Sequence, residues 1–315
     1  MTDILFIKTS SLGDVIHHMP AVTESRAHFP QMRVTWLVET AYTPLVALHP
    51  GVDRVIPVAW RRWRKQLLSS QTWGEIGAWR RTLGAQPFDR IVDTQGLMRT
   101  GLMSRFASGE RHGYDRDSIR EPLASSFYDV RHRISRAEHA IARNRLLTAL
   151  ALGYQFDGAP DYGLDRGRWG EANERYGILL HGTARTEKEW PIDDWIALGR
   201  ALERPGRALI VPWGNEIERA RAMQIVDAIP NARLGEQLPV DGMARLIAGA
   251  EFVVGGDTGL VHLAAAFGVP LVAIFRGSDP GLSRPVGAGP IRVVGAKGVT
   301  PSVDDVRRGL AEILG

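Results

Sequence analysis

Short apolar runs recur along the chain, each closed by small or polar residues and followed by a longer stretch with helical spacing. In the first half the runs are Asp3 to Lys8, Arg33 to Val38, Arg54 to Val58 and Asp89 to Asp93, with a helix expected from about Ser135 to Leu152. In the second half they are Tyr176 to His181, Ala208 to Val211, Ala232 to Leu234, Glu251 to Val254 and Leu271 to Phe275. A last helix follows near Val303 to Leu314, free by sequence to pack anywhere, including back on the first domain. Unbroken apolar runs mark strands covered on both faces, and their alternation with helices predicts parallel sheets between helical layers. A stretch rich in Gly, Asp and Pro, from Gly153 to Gly170, interrupts the rhythm. The expected fold is therefore α/β, two doubly wound Rossmann-like domains at 1–165 and 166–315 that face a central cleft, a plan suited to a two-substrate transfer enzyme.

Two strand-turn-helix junctions carry the candidate chemistry. Phe252-Val253-Val254-Gly255-Gly256-Asp257-Thr258-Gly259-Leu260-Val261-His262 runs from a buried strand through a glycine-rich turn into a helix. Thr258 and the first free helix amides would point at a phosphate, although an ordinary structural turn would have the same sequence. Ile4-Leu5-Phe6-Ile7-Lys8-Thr9-Ser10-Ser11-Leu12-Gly13-Asp14 repeats the pattern in the first half. No G-x-G-x-x-G follows a strand and no Walker A pattern occurs, which disfavours dinucleotide cofactors and P-loop chemistry.

Composition narrows the class. There is no cysteine, so disulfide and thiolate chemistry are excluded and a cytoplasmic setting is the expectation. No secretory leader is expected, and the apolar runs are strand-sized, so any membrane contact would be peripheral. The net charge of +4 is uneven: residues 1–155 hold 21 Lys and Arg against 14 Asp and Glu, and residues 156–315 hold 18 against 21. The first half should meet the more anionic partner. Its densest cluster is Trp60-Arg61-Arg62-Trp63-Arg64-Lys65, with Arg80, Arg81, Arg111, Arg116 and Arg120 further on. Cations interleaved with tryptophan suit phosphates, sugar acids or an anionic headgroup layer. No nucleic-acid-binding signature accompanies them, and nucleic acid is not the expected partner. His17 and His18 point to different helix faces with no carboxylate at ligand spacing, so they read as structural and no metal is expected.

Taken together, Lys8-Thr9-Ser10-Ser11-Leu12-Gly13-Asp14, Arg61-Arg62-Trp63-Arg64-Lys65, Arg120-Glu121-Pro122-Leu123-Ala124, Pro212-Trp213-Gly214 and Asp257-Thr258-Gly259-Leu260-Val261-His262 resemble the lipopolysaccharide heptosyltransferases, most of all those that add the first heptose. The resemblance spans nearly the whole chain in order. It implies a GT-B glycosyltransferase that moves L-glycero-D-manno-heptose from ADP-heptose to Kdo of Kdo-lipid A, inverting and metal-free. It further implies action on the cytoplasmic face of the inner membrane, where the protein is expected to be peripheral and a monomer. Transfer to heptose already in the core, or a non-catalytic nucleotide-sugar-binding module, are the alternatives.

By the same resemblance Asp14 is the catalytic base and Lys188 stabilises the leaving diphosphate. Thr183, Ala184, Glu216, Leu238, Asp257, Thr258, Gly259 and His262 would line the donor site, and the acceptor would meet Ser10, Ser11, Gly13, Arg61, Arg62, Arg64, Lys65, Gln95 and Arg120. Asp14 otherwise reads as a first-turn acid that complements a helix dipole, and Lys188 as a surface lysine. Glu218 competes with Glu216 for the ribose. Ala184 stands where the family can carry a second threonine, leaving Thr183 with more of the phosphate contact.

Overall fold

Among the described residues twelve strands form two six-stranded sheets in which every strand pairing is parallel. This computed structural model describes residues 2–169, 174–183 and 185–315. The first sheet contains β1 (Asp3–Ile7), β2 (Arg33–Glu39), β3 (Arg54–Val58), β4 (Pro87–Asp93), β5 (Ser108–Tyr114) and β6 (Val130–His132), in the order β3-β2-β1-β4-β5-β6. The second contains β7 (Arg175–Leu180), β8 (Arg207–Val211), β9 (Ala232–Leu234), β10 (Phe252–Gly256), β11 (Leu271–Phe275) and β12 (Ile291–Gly295), in the order β12-β11-β10-β7-β8-β9. The chain divides into Met1–Gly163 and Leu164–Gly315, inside the stretch rich in Gly, Asp and Pro.

Both sheets have one strand order, and each reverses direction once, between β1 and β4 in the first and between β7 and β10 in the second. At such a switch point the turns at the carboxyl ends of two adjacent strands diverge and leave a crevice for ligand. The register sets their level: Ile7 pairs with Asp93 across β1 and β4, and Gly255 with Leu180 across β10 and β7.

Each unit has its own core. In the first, Leu5, Ile7, Leu37, Ile56 and Ile91 meet Trp63, Trp79 and Leu83 of the covering helices. In the second, Leu179, Phe252, Val254, Val272 and Ile274 meet Trp190, Trp195 and Leu198. Each fully buried side chain of this kind contributes about 1.5–3 kcal/mol. Gly177 in β7 leaves room for the Phe252 ring, since a Cβ there would lie 2.2 Å from it.

The last helix, Val303–Leu314, packs on β11, β12 and the helix Ile192–Ala201 of its own unit. Val306 and Leu310, four apart and buried, form its inner stripe. Ser302 and Asp305 close its N-terminus with reciprocal hydrogen bonds.

Three strands did not announce themselves as apolar runs. β5 reads Ser-Gly-Glu-Arg-His-Gly-Tyr and is buried only over its last three residues, β6 has three residues, and β12 at the sheet edge is only half-buried. Outer strands need no continuous apolar run, so their signal is weak. The helix expected from Ser135 begins at Ala140.

Candidate active site

The first switch point is assembled around Asp14. It sits in the short helix Leu12–Ile16, and its Oδ2 accepts the Ser11 amide at 2.7 Å and the Ser11 hydroxyl at 3.0 Å. Asp14 lines a cavity of about 160 Å³ with Lys8, Thr94, Gln95, Tyr114, Arg120, Ala140, Arg143 and Asn144. One carboxylate therefore faces several cationic or donor groups. Lys8 is buried, and its Nζ donates to the Thr94 carbonyl at 2.8 Å and to Asn144 Oδ1 at 3.2 Å. Burial lowers its pKa, while the charges of Asp14 and Asp93 oppose the shift.

Gln95 joins the two turns. Its Oε1 accepts the amides of Thr9 and Ser10 at 2.9 and 3.1 Å, so the loop leading to Asp14 hangs from the end of β4. Gln95 is held in turn by Asp93, whose Oδ1 accepts the amides of Gln95 and Gly96 and whose Oδ2 accepts the Tyr128 hydroxyl at 2.8 Å. Burial pushes the Asp93 carboxyl up. Ser10 Oγ accepts from Arg99 at 2.9 Å. Gly13 is buried, and its carbonyl accepts the His17 amide.

Arg61, Arg62, Arg64 and Lys65 are exposed at the carboxyl end of β3 and do not line the Asp14 cavity. Glu39 links the two regions: its amide donates to the Thr9 carbonyl, and its carboxylate accepts the Arg61 amide. Arg62 is engaged by Glu75 at 2.5 Å.

The second switch point gathers the other set. Lys188, in a single turn at Thr186–Lys188, places Nζ 2.5 Å from Asp257 Oδ2, which also accepts from the Ser278 hydroxyl. Thr258 stands at the N-cap of the helix Gly259–Ala266, which starts at the carboxyl edge of the sheet, and its side chain makes no capping hydrogen bond. The ends of β10 and β7 approach closely: a Cβ on Gly256 would lie 2.9 Å from Thr183 Cγ2. Thr183 Oγ1 donates to the Arg185 carbonyl. His262 is buried one turn into its helix, and Ala184 lies outside the described residues.

A family comparison decides the assignment. Residues 76–308 match glycosyltransferase family 9 (heptosyltransferase).

The chain belongs to glycosyltransferase family 9. It is 40% identical over 288 residues to lipopolysaccharide heptosyltransferase 1 of Pseudomonas aeruginosa, covering 90% of this chain and 81% of that one. The solved structure of E. coli heptosyltransferase WaaC with ADP superposes with a TM-score of 0.93 at 34% identity, covering 99% of both chains. WaaC with ADP-2-deoxy-2-fluoro heptose gives 0.90 at the same identity and coverage. The fold class is that of the GT-B glycosyltransferases, and the chain is a glycosyltransferase.

In this family 9 enzyme the two glutamates that open the helix after β8 differ in engagement. Glu218 Oε2 accepts the Gly214 amide at 2.7 Å and its carboxyl crowds Gly182, whereas Glu216 is exposed and only 3.8 Å from Arg219. Glu216 is thus the less engaged carboxylate of the two. Leu238 is half-buried between β9 and the helix Val240–Gly249. His18 is buried with its ring edge-on to Phe6 and Trp36. Arg99, Arg143, Lys8 and Ser278 were not singled out from sequence, because each acts through a partner far along the chain.

A larger depression, about 670 Å³, is lined by Gly77, Arg80, Arg81, Gly84, Arg105 and Phe106 at the amino edge of the first sheet. It lies at the opposite end of the strands from Asp14 and contains no candidate base. Arg80 and Arg81 end the helix Ser70–Leu83, where cations suit the helix dipole.

Proposed function

We propose that this enzyme transfers L-glycero-D-manno-heptose from ADP-heptose to Kdo of Kdo-lipid A with inversion at the anomeric carbon. The observation that carries the acceptor half is the Asp14 cavity, where one carboxylate stands among Lys8, Arg120 and Arg143. Kdo is a sugar acid, and such a set binds its carboxylate while leaving Asp14 to take the proton of the attacking hydroxyl. The new bond joins that oxygen to the heptose C1, the C1 bond to the diphosphate oxygen breaks, and ADP leaves with the bonding electrons.

Lys188 and the amides after Thr258 take up the charge on the departing diphosphate, with Thr183 beside them. Glu216 holds the ribose, and Leu238 packs on adenine. Asp257 orients Lys188, and His262 supports the helix that presents the amides. This arrangement supports transfer without a divalent metal. Ser10, Ser11 and Gln95 frame the acceptor, while Arg61, Arg62, Arg64 and Lys65 meet its phosphates and the anionic cytoplasmic face of the inner membrane. The enzyme acts there as a peripheral monomer, and no helix among the described residues is long and apolar enough to cross a membrane.

The deciding experiment follows ADP release from ADP-heptose by the purified protein in chelator, with deacylated Kdo-lipid A and a heptosylated core as competing acceptors. Turnover confined to the Kdo acceptor is the expected result. Turnover confined to the heptosylated core would move the enzyme to a later step, and silence with both would overturn transfer.

A further inference from the structure

The first unit has an exposed apolar tip. Leu68 is 104% exposed, Trp73 58% and Leu67 50%, all within the segment that follows the helix Trp60–Trp63. Large apolar side chains placed singly on a surface need no explanation, but three on one tip mark an interaction site.

The tip is built. Glu75 accepts from Arg62 at 3.0 and 2.5 Å and from the buried Trp63 indole at 2.8 Å, which fixes its first side to the helix Ser70–Leu83. The Trp73 indole donates to the Leu67 carbonyl at 2.8 Å, which fixes its second. Between them successive backbone turns, Lys65 to Arg62, Gln66 to Trp63 and Ser69 to Gln66, hold Leu67 and Leu68 outward. The ordering cost is therefore met in the free protein.

Charge identifies the occupant. From Arg54 to Gly74 the sequence has five cations and no acid. Arg62 is ion-paired, while Arg64 and Lys65 make no ion pair among the described residues. Apolar tips ringed by free cations and carrying a tryptophan are the composition of a headgroup-to-acyl boundary. The tip also leaves the carboxyl edge of the first sheet, the edge that holds Asp14.

We propose that Leu67, Leu68 and Trp73 form a preassembled wedge that enters the acyl boundary of an anionic bilayer while Arg61, Arg64 and Lys65 remain among the headgroups. This rests on the reading of a bilayer-borne acceptor, but it makes a separate claim: docking has an apolar component that salt does not screen.

The chain has no cysteine, so Leu68→Cys can be labelled alone with a nitrobenzoxadiazole fluorophore, and Ala85→Cys, exposed at the opposite sheet edge, serves as control. Vesicles of phosphatidylethanolamine and phosphatidylglycerol, without donor or acceptor, should shift the emission at 68 to the blue and leave 85 unchanged. Spin-labelled acyl chains should quench only the former. Leu67→Ser with Leu68→Ser should weaken vesicle binding roughly tenfold, most visibly at high salt, with turnover on a deacylated acceptor unchanged. An unshifted label at 68 on protein that sediments with vesicles would overturn the wedge in favour of charge alone. Failure of the wild type to sediment would overturn membrane docking and leave the tip to a protein partner. Because neither readout needs turnover, a protein that inserts but transfers nothing would count against the proposed reaction and not against the wedge.

Discussion

Lys188 Nζ lies 2.5 Å from Asp257 Oδ2, across 69 residues of chain, at the second switch point. Both side chains are largely withdrawn from water, with exposures of 16% and 9%. In the free enzyme the carboxylate holds the ammonium at the turn that follows β10. In the proposed reaction a diphosphate arriving there would share Lys188 with Asp257, which would keep the cation aimed while charge grows on the leaving oxygen.

Replacing Lys188 by Met should lower turnover about 100- to 1,000-fold. It should also destabilise the second unit, because removing one partner of a withdrawn ion pair strands the other, at a cost of about 3 kcal/mol. The double change Lys188→Met with Asp257→Asn should recover most of the stability and none of the rate. Denaturant midpoints and ADP release on the same samples separate the two effects; recovery of rate in the double variant would rule out Lys188 as the leaving-group cation.

Asp14→Asn keeps an acceptor for the Ser11 amide and hydroxyl and removes the proposed base. Turnover should fall roughly 100- to 10,000-fold. ADP affinity by calorimetry should hold, since the proposed donor residues belong to the second unit. Full activity in this variant would exclude Asp14 as the proton acceptor.

Gln95→Ala should act on the same step at a distance. It strands the amides of Thr9 and Ser10, each worth about 1–3 kcal/mol when buried without a partner, and loosens the loop before Asp14. The expected signature is a lower kcat with donor KM little changed, and a pH profile of the same shape as wild type. A raised donor KM would place Gln95 elsewhere in the cycle.

Acid should weaken both units. Burial lowers His49 in the first unit and His181 in the second from 6.5 to about 4, with Arg221 adding to the effect at His181. His49 Nδ1 accepts the Gly51 amide and is lost as an acceptor on protonation. The folded pKa values lie below the unfolded ones, so between these limits the unfolded chain binds protons that the folded chain refuses. Stability is intact above the unfolded value and falls as pH drops from 6.5 towards 4, by on the order of 3 kcal/mol per group at the lower limit. Urea midpoints measured from about pH 7 down to about pH 5 should decline, and His49→Gln should flatten the slope if the fold is kept; an unchanged slope would refute the assignment.

Much of this was readable in the chain. The inner strands are unbroken apolar runs because helices cover both faces, so β1, β4, β7, β10 and the turns after β1 and β10 were legible. The outer strands β5, β6 and β12, half-exposed or very short, were not. Contacts that aim the chemistry were hidden for another reason: Asp257 with Lys188, Arg99 with Ser10 and Tyr128 with Asp93 join residues brought near only by sheet order. The engagement of Glu218 by the backbone amide of Gly214 was likewise hidden.

The pairing of Ile7 with Asp93 has a mechanical meaning. One step of slippage between β1 and β4 would move Gln95 by about 3.3 Å along the strands, farther than either of its bonds to the Thr9 and Ser10 amides could follow. The sheet is thus the gauge block against which the Asp14 carboxylate is set. Accuracy at Asp14 is inherited from the interior of the first unit, and a core substitution that shifts β4 would blunt the enzyme without touching any residue that meets substrate.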